Sequence, residues 1–219
     1  MGALKGRDAV RLAAGRLRDT LAMPGLGLAL AAYFDPAEDF PGMSFTSLGR
    51  NPAGQVTADD LLAVSLLDIA WRPEAVRQLL GGEQAAAISR MLAGIPADLD
   101  LWDASEADLS AVDPLWEALL EMPGVGTATA AKLLARKRPR LCPATDKVVI
   151  RAVGVPGPTW ETLRCLLSDP GARAELDGLR PPGAARESLL RLLDVAIWIV
   201  HSTSHAAERA RAAGRARAA

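Results

Sequence analysis

The sequence predicts an all-α protein folded as one helical domain, on three observations. Apolar residues recur at three- and four-residue spacing in most segments. No run alternates apolar and polar residues as a strand would. Half of the 219 residues are hydrophobic but only 4% are aromatic, and Ala, Leu, Arg and Gly dominate, a mixture that favours helices over a β-sandwich.

The elements follow in order. Residues 1–34 read as N-terminal helices: an amphipathic helix over residues 4–22 carrying Val10, Leu12, Leu17 and Leu21, stopped by Met23-Pro24-Gly25, then a short helix to Tyr33. Residues 35–56 are rich in Asp, Pro, Gly, Ser and Asn and read as a loop. Its neighbours Tyr33, Phe34, Phe40 and Phe45 either form a lid or close the core. Thr57 then caps a strong helix, with Asp59 and Asp60 suited to its positive end and Leu61 to Ile69 supplying its apolar face. Within a helical core of residues 57–201, further helices are expected at 73–80, 83–94, 114–121, 127–137, 146–153, 160–168 and 184–201. Trp198 in Ile197-Trp-Ile-Val200 is expected in the core. Residues 202–219, Ala and Arg with little to bury, read as a flexible basic tail.

The 25 basic and 26 acidic residues leave a net charge of -1, so no overall electrostatic signature of a nucleic-acid binder exists. The charge is nevertheless segregated. Residues 83–121 hold nine acids against Arg90, and residues 122–151 hold seven bases against Asp146. Two cysteines, Cys142 and Cys165, are too few for a disulfide framework, a four-cysteine zinc site or an iron–sulfur cluster, which fits a reducing cytosol. No apolar run is long and uninterrupted enough to span a bilayer, and the charge spread over the first twenty residues does not suit a signal peptide. The expectation is a cytoplasmic protein with no membrane association, nucleoid-associated if it binds DNA.

The most informative string runs from Leu119 to Leu134. Apolar residues lead into Met122-Pro123-Gly124-Val125-Gly126, and a helix rich in small residues starts at once with Thr127. Gly124 and Gly126 relieve steric limits on φ, and Val125 can plug the groove between the two helices. The turn amides and the start of the second helix then point outward, where a phosphate oxygen fits. Over residues 114–137 this pattern resembles the helix-hairpin-helix motif of DNA-binding proteins, which holds DNA by its backbone without reading sequence. The contact set expected for DNA is Pro123, Gly124, Val125, Gly126, Thr127, Lys132, Arg136, Lys137, Arg138, Arg140, Lys147 and Arg151. A tight structural corner between two helices is the alternative for the turn, and a salt-bridged face between the acidic and basic segments is the alternative for the charges.

The resemblance extends to DNA glycosylases of the endonuclease III type. In that family the hairpin leads, after a helix and a loop, to an Asp that opens another helix, with an Arg five places on. Here Asp146 lies 24 residues after Met122, and Arg151 follows at that interval. The resemblance implies a glycosylase-like helical bundle and casts Asp146 as a catalytic carboxylate; by its position Asp146 is equally a helix cap. Ala128 stands where the bifunctional enzymes carry a catalytic Lys, Lys132 falls a helical turn further on, Val148 replaces a family His, and the four cluster cysteines are absent. Any enzymatic activity implied is therefore base removal without strand cleavage. Along its full length the chain is more similar to bacterial proteins of unknown function that carry this motif than to any glycosylase.

Three other features are weaker. Met23-Pro-Gly-Leu-Gly27 echoes Met122-Pro-Gly-Val-Gly126 in register and suggests a second hairpin, though no bases follow it. His201 and His205, with Glu208 three residues on, have zinc-face spacing without a third His or Cys, so neither a metal nor another cofactor is expected. From a different class, a protein–protein module would use the acidic and basic segments as docking faces.

Overall fold

A computed structural model of the chain describes residues 2–154 and 159–218. Among the described residues it is entirely helical, with thirteen α-helices, three short 3-10 turns and no strand. The helices are α1 (Gly2–Leu21), α2 (Leu26–Tyr33), α3 (Ala58–Ser65), α4 (Pro73–Leu80), α5 (Gly82–Ala93), α6 (Glu106–Ser110) and α7 (Asp113–Leu120). They continue with α8 (Thr127–Lys137), α9 (Lys147–Val153), α10 (Thr159–Ser168), α11 (Pro170–Gly178), α12 (Leu189–His201) and α13 (His205–Ala216). The 3-10 turns span Pro36–Glu38, Pro41–Ser44 and Pro182–Ala184.

These helices form two compact units. One is continuous, Ser44–Ala144, and holds α3 to α8; the other joins Met1–Met43 to Thr145–Ala219. In the continuous unit, α8 packs against α3 and α7, burying Ala130, Ala131, Leu133 and Leu134 with Leu115, Leu119 and Val64. The start of α3 is fixed by a capping box: the Thr57 hydroxyl accepts from the Asp60 amide at 3.3 Å, and the Asp60 carboxylate accepts from the Thr57 amide at 2.9 Å. α6 is held the same way by Ser105 and Asp108.

In the discontinuous unit, α12 runs through the core with Leu190, Leu192, Leu193, Val195, Ala196, Ile197 and Ile199 buried. Tyr33, Phe34 and Phe40 are buried beside it, which identifies this aromatic stretch as core rather than lid. Trp198 is half-buried rather than interior, meeting the Tyr33 ring edge-on at 5.7 Å.

The flexible tail expected for residues 202–219 is not what forms. Ser204 caps α13, Ala207 and Ala210 are fully buried, and α13 packs along α2. A Cβ on Gly214 would fall 2.7 Å from the Ala29 amide nitrogen, so a glycine lets the two backbones approach. Arg217 reaches Asp35 and Glu38, and Arg209 lies 4.1 Å over the Phe40 ring. The Ala/Arg composition that looked too polar to pack is an amphipathic helix whose small face suits a close contact.

Candidate functional site

The turn between α7 and α8 has the local chemistry expected of it. The Val125 amide donates to the Met122 carbonyl at 3.1 Å, closing a turn with Pro123 second and Gly124 third. Gly124 adopts φ 79°, the left-handed conformation that a type II turn requires at that position. Val125 points inward and is buried, while Gly124, Gly126 and Thr127 are exposed. Gly126 is extended at φ -97° and ψ 177°, and its carbonyl accepts the Ala130 amide at 2.9 Å. No side chain caps α8, so its first amides face outward with the positive end of the helix dipole.

One side chain at this turn had no signal in the sequence. Arg72, the residue before Pro73 at the start of α4, lies across Gly124: a Cβ there would come within 2.6 Å of its Cδ and 2.9 Å of its Nε. Arg72 is exposed, and among the described residues its guanidinium makes no ion pair or hydrogen bond. Its distance in sequence from the turn, and its isolation from any basic run, hid it.

The basic cluster after the turn requires a correction. Arg136, Lys137 and Arg138 were expected to face phosphates, but their exposures are 0%, 3% and 2%. Arg136 Nε lies 3.1 Å from Asp60 Oδ1, and Lys137 Nζ lies 2.8 Å from Asp60 Oδ2. The remaining donors serve backbone. Arg136 donates to the carbonyls of Phe45 and Leu48, Lys137 to Asn51 Oδ1 and the Pro52 carbonyl, and Arg138 to the carbonyls of Ala53, Leu92 and Ile95. The physical reason lies in the loop at 45–55, which has no regular structure to satisfy its own carbonyls. Three neighbouring cations at the end of α8 supply the donors, with Asp60 as counter-ion. Burial holds Lys137 below its ordinary range against the opposing pull of Asp60, and burial likewise lowers Arg138. Burial also pushes the Cys142 thiol up to about 12.

The other expected contacts divide. Lys132 Nζ donates to the Leu67 carbonyl at 2.8 Å, and Arg140 pairs with Asp100. Lys147 and Arg151 are exposed on α9, in the other unit. Asp146 opens α9 as its N-cap: Oδ1 accepts from the Val148 amide at 2.8 Å and the Val149 amide at 3.1 Å. That is the capping role anticipated beside the catalytic one.

The turn at Met23–Gly27 repeats part of the geometry at Met122–Gly126. The Leu26 amide donates to the Met23 carbonyl at 3.1 Å, and Gly25 adopts the same φ of 79°. Here, however, α2 begins directly at Leu26, without the extended segment that precedes α8. His201 bonds the Thr20 hydroxyl at 2.9 Å, while His205 is fully exposed near Glu208. Among the described residues no group of three or more His, Cys, Asp or Glu is arranged to hold a metal ion, and no helix is long and apolar enough to cross a membrane.

A model of a family of unknown function, DUF6308, matches residues 28–201, which is most of the chain, and the chain belongs to that family. Comparison with curated proteins and with solved structures gave no match.

Proposed function

We propose that this member of the DUF6308 family is a DNA-binding protein that grips a backbone phosphate at the 123–127 turn, as a helix-hairpin-helix does. The observation that carries the reading is the combination at one exposed corner: a left-handed Gly124, a buried Val125, the uncapped start of α8, and the free guanidinium of Arg72 across the turn. Outward amides at a helix start and an adjacent arginine both suit a phosphodiester oxygen. Contacts of this kind position a protein on DNA without selecting a sequence. Arg136, Lys137 and Arg138 contribute by holding the end of α8 against the 45–55 loop, not by touching DNA.

The proposal includes no base removal. Oδ1 of Asp146 is engaged by two amides of its own helix, which supports a capping role.

The test compares wild type with Gly126→Ala and Arg72→Ala in fluorescence anisotropy with a labelled duplex. A Cβ on Gly126 meets nothing within 4 Å and its φ is ordinary, so this variant keeps the fold while placing a methyl group before the amides. Each variant should bind several-fold more weakly at unchanged thermal stability. Binding equal to wild type in both variants would reject the turn as the contact.

A second reading has its own support. Residues 44–144 contain nine bases and thirteen acids, and three of the bases are buried. The surface of this unit is therefore strongly acidic, which favours a basic protein partner. That reading predicts a partner retained after nuclease treatment and displaced by salt.

A further inference from the structure

With Arg136, Lys137 and Arg138 shut inside the continuous unit, where acids outnumber bases, the discontinuous unit is the richer source of cations for a polyanion. The discontinuous unit carries sixteen bases against thirteen acids. Many of these bases are engaged: Arg18 with Asp169 and Glu175, Arg180 with Asp177, Arg191 with Asp194, and Arg217 with Asp35. In this unit eight exposed cations form no ion pair among the described residues, and five of them lie on two contacting helices, Arg7, Arg11 and Arg16 on α1 and Lys147 and Arg151 on α9, whereas Arg186, Arg209 and Arg215 lie elsewhere. Arg16 fixes the junction between them. Its Nη2 donates to the Val153 carbonyl at 3.5 Å and sits 3.5 Å from where a Gly154 Cβ would stand, against the C-terminal end of α9. That placement brings Arg16 beside the helix whose exposed face carries Lys147 and Arg151.

We infer that the α1–α9 face is a second DNA-binding surface, one that takes duplex backbone phosphates through unpaired cations. The identification of the ligand as DNA rests on the hairpin reading; the location of the cations does not. The two surfaces differ in chemistry. The turn offers amides and one arginine, whereas the α1–α9 face offers charge almost alone. A contact of the second kind is felt mainly as counterion release, with the logarithm of affinity falling by about 0.9 per neutralised phosphate for each unit of log salt.

The experiment measures duplex affinity across a salt series for wild type, for Arg16→Gln/Lys147→Gln/Arg151→Gln, and for Gly126→Ala. Lys147→Gln/Arg151→Gln, whose side chains make no hydrogen bond among the described residues, serves if the triple variant is less stable. The expected result is a salt slope shallower by about two to three in the triple variant and by about two in the double variant. Gly126→Ala should weaken binding with its slope close to wild type. An unchanged slope in the triple and double variants, with Gly126→Ala still weakened, overturns this surface and leaves the hairpin reading standing. Shallower slopes with Gly126→Ala binding as wild type retain the surface and reject the hairpin. Binding to vesicles of anionic lipid but to no duplex overturns the assignment to DNA.

Discussion

Asp60 and Arg136 face each other at 3.1 Å with both side chains fully removed from water. Lys137 reaches the second oxygen of the same carboxylate at 2.8 Å, so one acid serves two buried cations and also closes the capping box of α3. Such a cluster tolerates no partial removal, because a partner left behind is a buried charge without compensation. The segment that looks most like a DNA-binding surface in the sequence is an internal brace.

Asp60→Ala should therefore destabilise the protein by about 3–5 kcal/mol, read as a lower denaturant midpoint. Arg136→Met should also destabilise it, since the carbonyls of Phe45 and Leu48 lose their donor. A midpoint within experimental error of wild type for Asp60→Ala would show that the cluster is not the brace described.

The two glycines of the turn should behave oppositely. Gly124→Ala places a side chain at φ 79° and drives it into Arg72, and should cost at least about 1–2 kcal/mol. Gly126→Ala should leave thermal stability near wild type. Equal losses in the two variants would contradict the turn geometry.

These contrasts mark what the sequence could reveal. Turn chemistry is local, so Met122-Pro-Gly-Val-Gly announced its tight turn, and Thr57 announced the cap of α3. The strongest helices were legible for the same reason. Two short helices were not foreseen although their caps were visible, Ser105 with Asp108 for α6 and Asp169-Pro170 for α11, because neither has a long apolar stripe. α12 begins at Leu189, not Ala184, since Pro182–Ala184 forms a 3-10 turn and Ser188 is the cap. Burial of a charge is a tertiary property. A run of Arg-Lys-Arg reads identically whether it meets water or the carbonyls of a loop eighty residues away, and Arg72 gave no sign of its proximity to Gly124.

Asp146→Asn should keep the cap of α9, because an amide oxygen accepts the same two backbone bonds, and its stability should match wild type. Asp146→Ala should lose about 0.5–2 kcal/mol. Duplexes with uracil, oxidised or alkylated bases, treated with alkali after incubation, should show no abasic sites with either wild type or Asp146→Asn. Abasic sites formed by wild type but not by Asp146→Asn would give the carboxylate a chemical role.

His201 provides a pH dependence. Partial burial lowers its pKa below the ordinary 6.5, and its ring bonds the Thr20 hydroxyl. The unfolded chain then binds the proton before the folded one does. The stability is fully present above pH 6.5 and falls as pH drops from there through the folded pKa. Thermal midpoints of wild type should decline across that acid window more steeply than those of His201→Gln. Parallel profiles would remove His201 from the acid sensitivity.

The central claim, a backbone phosphate held at the turn, is tested most directly by amide chemical shifts of the labelled protein during titration with a short duplex. Gly126, Thr127 and Ala128 should shift early and together with Gly124, their movement reduced in Arg72→Ala. Saturable duplex binding that leaves these amides unmoved while others shift would contradict it.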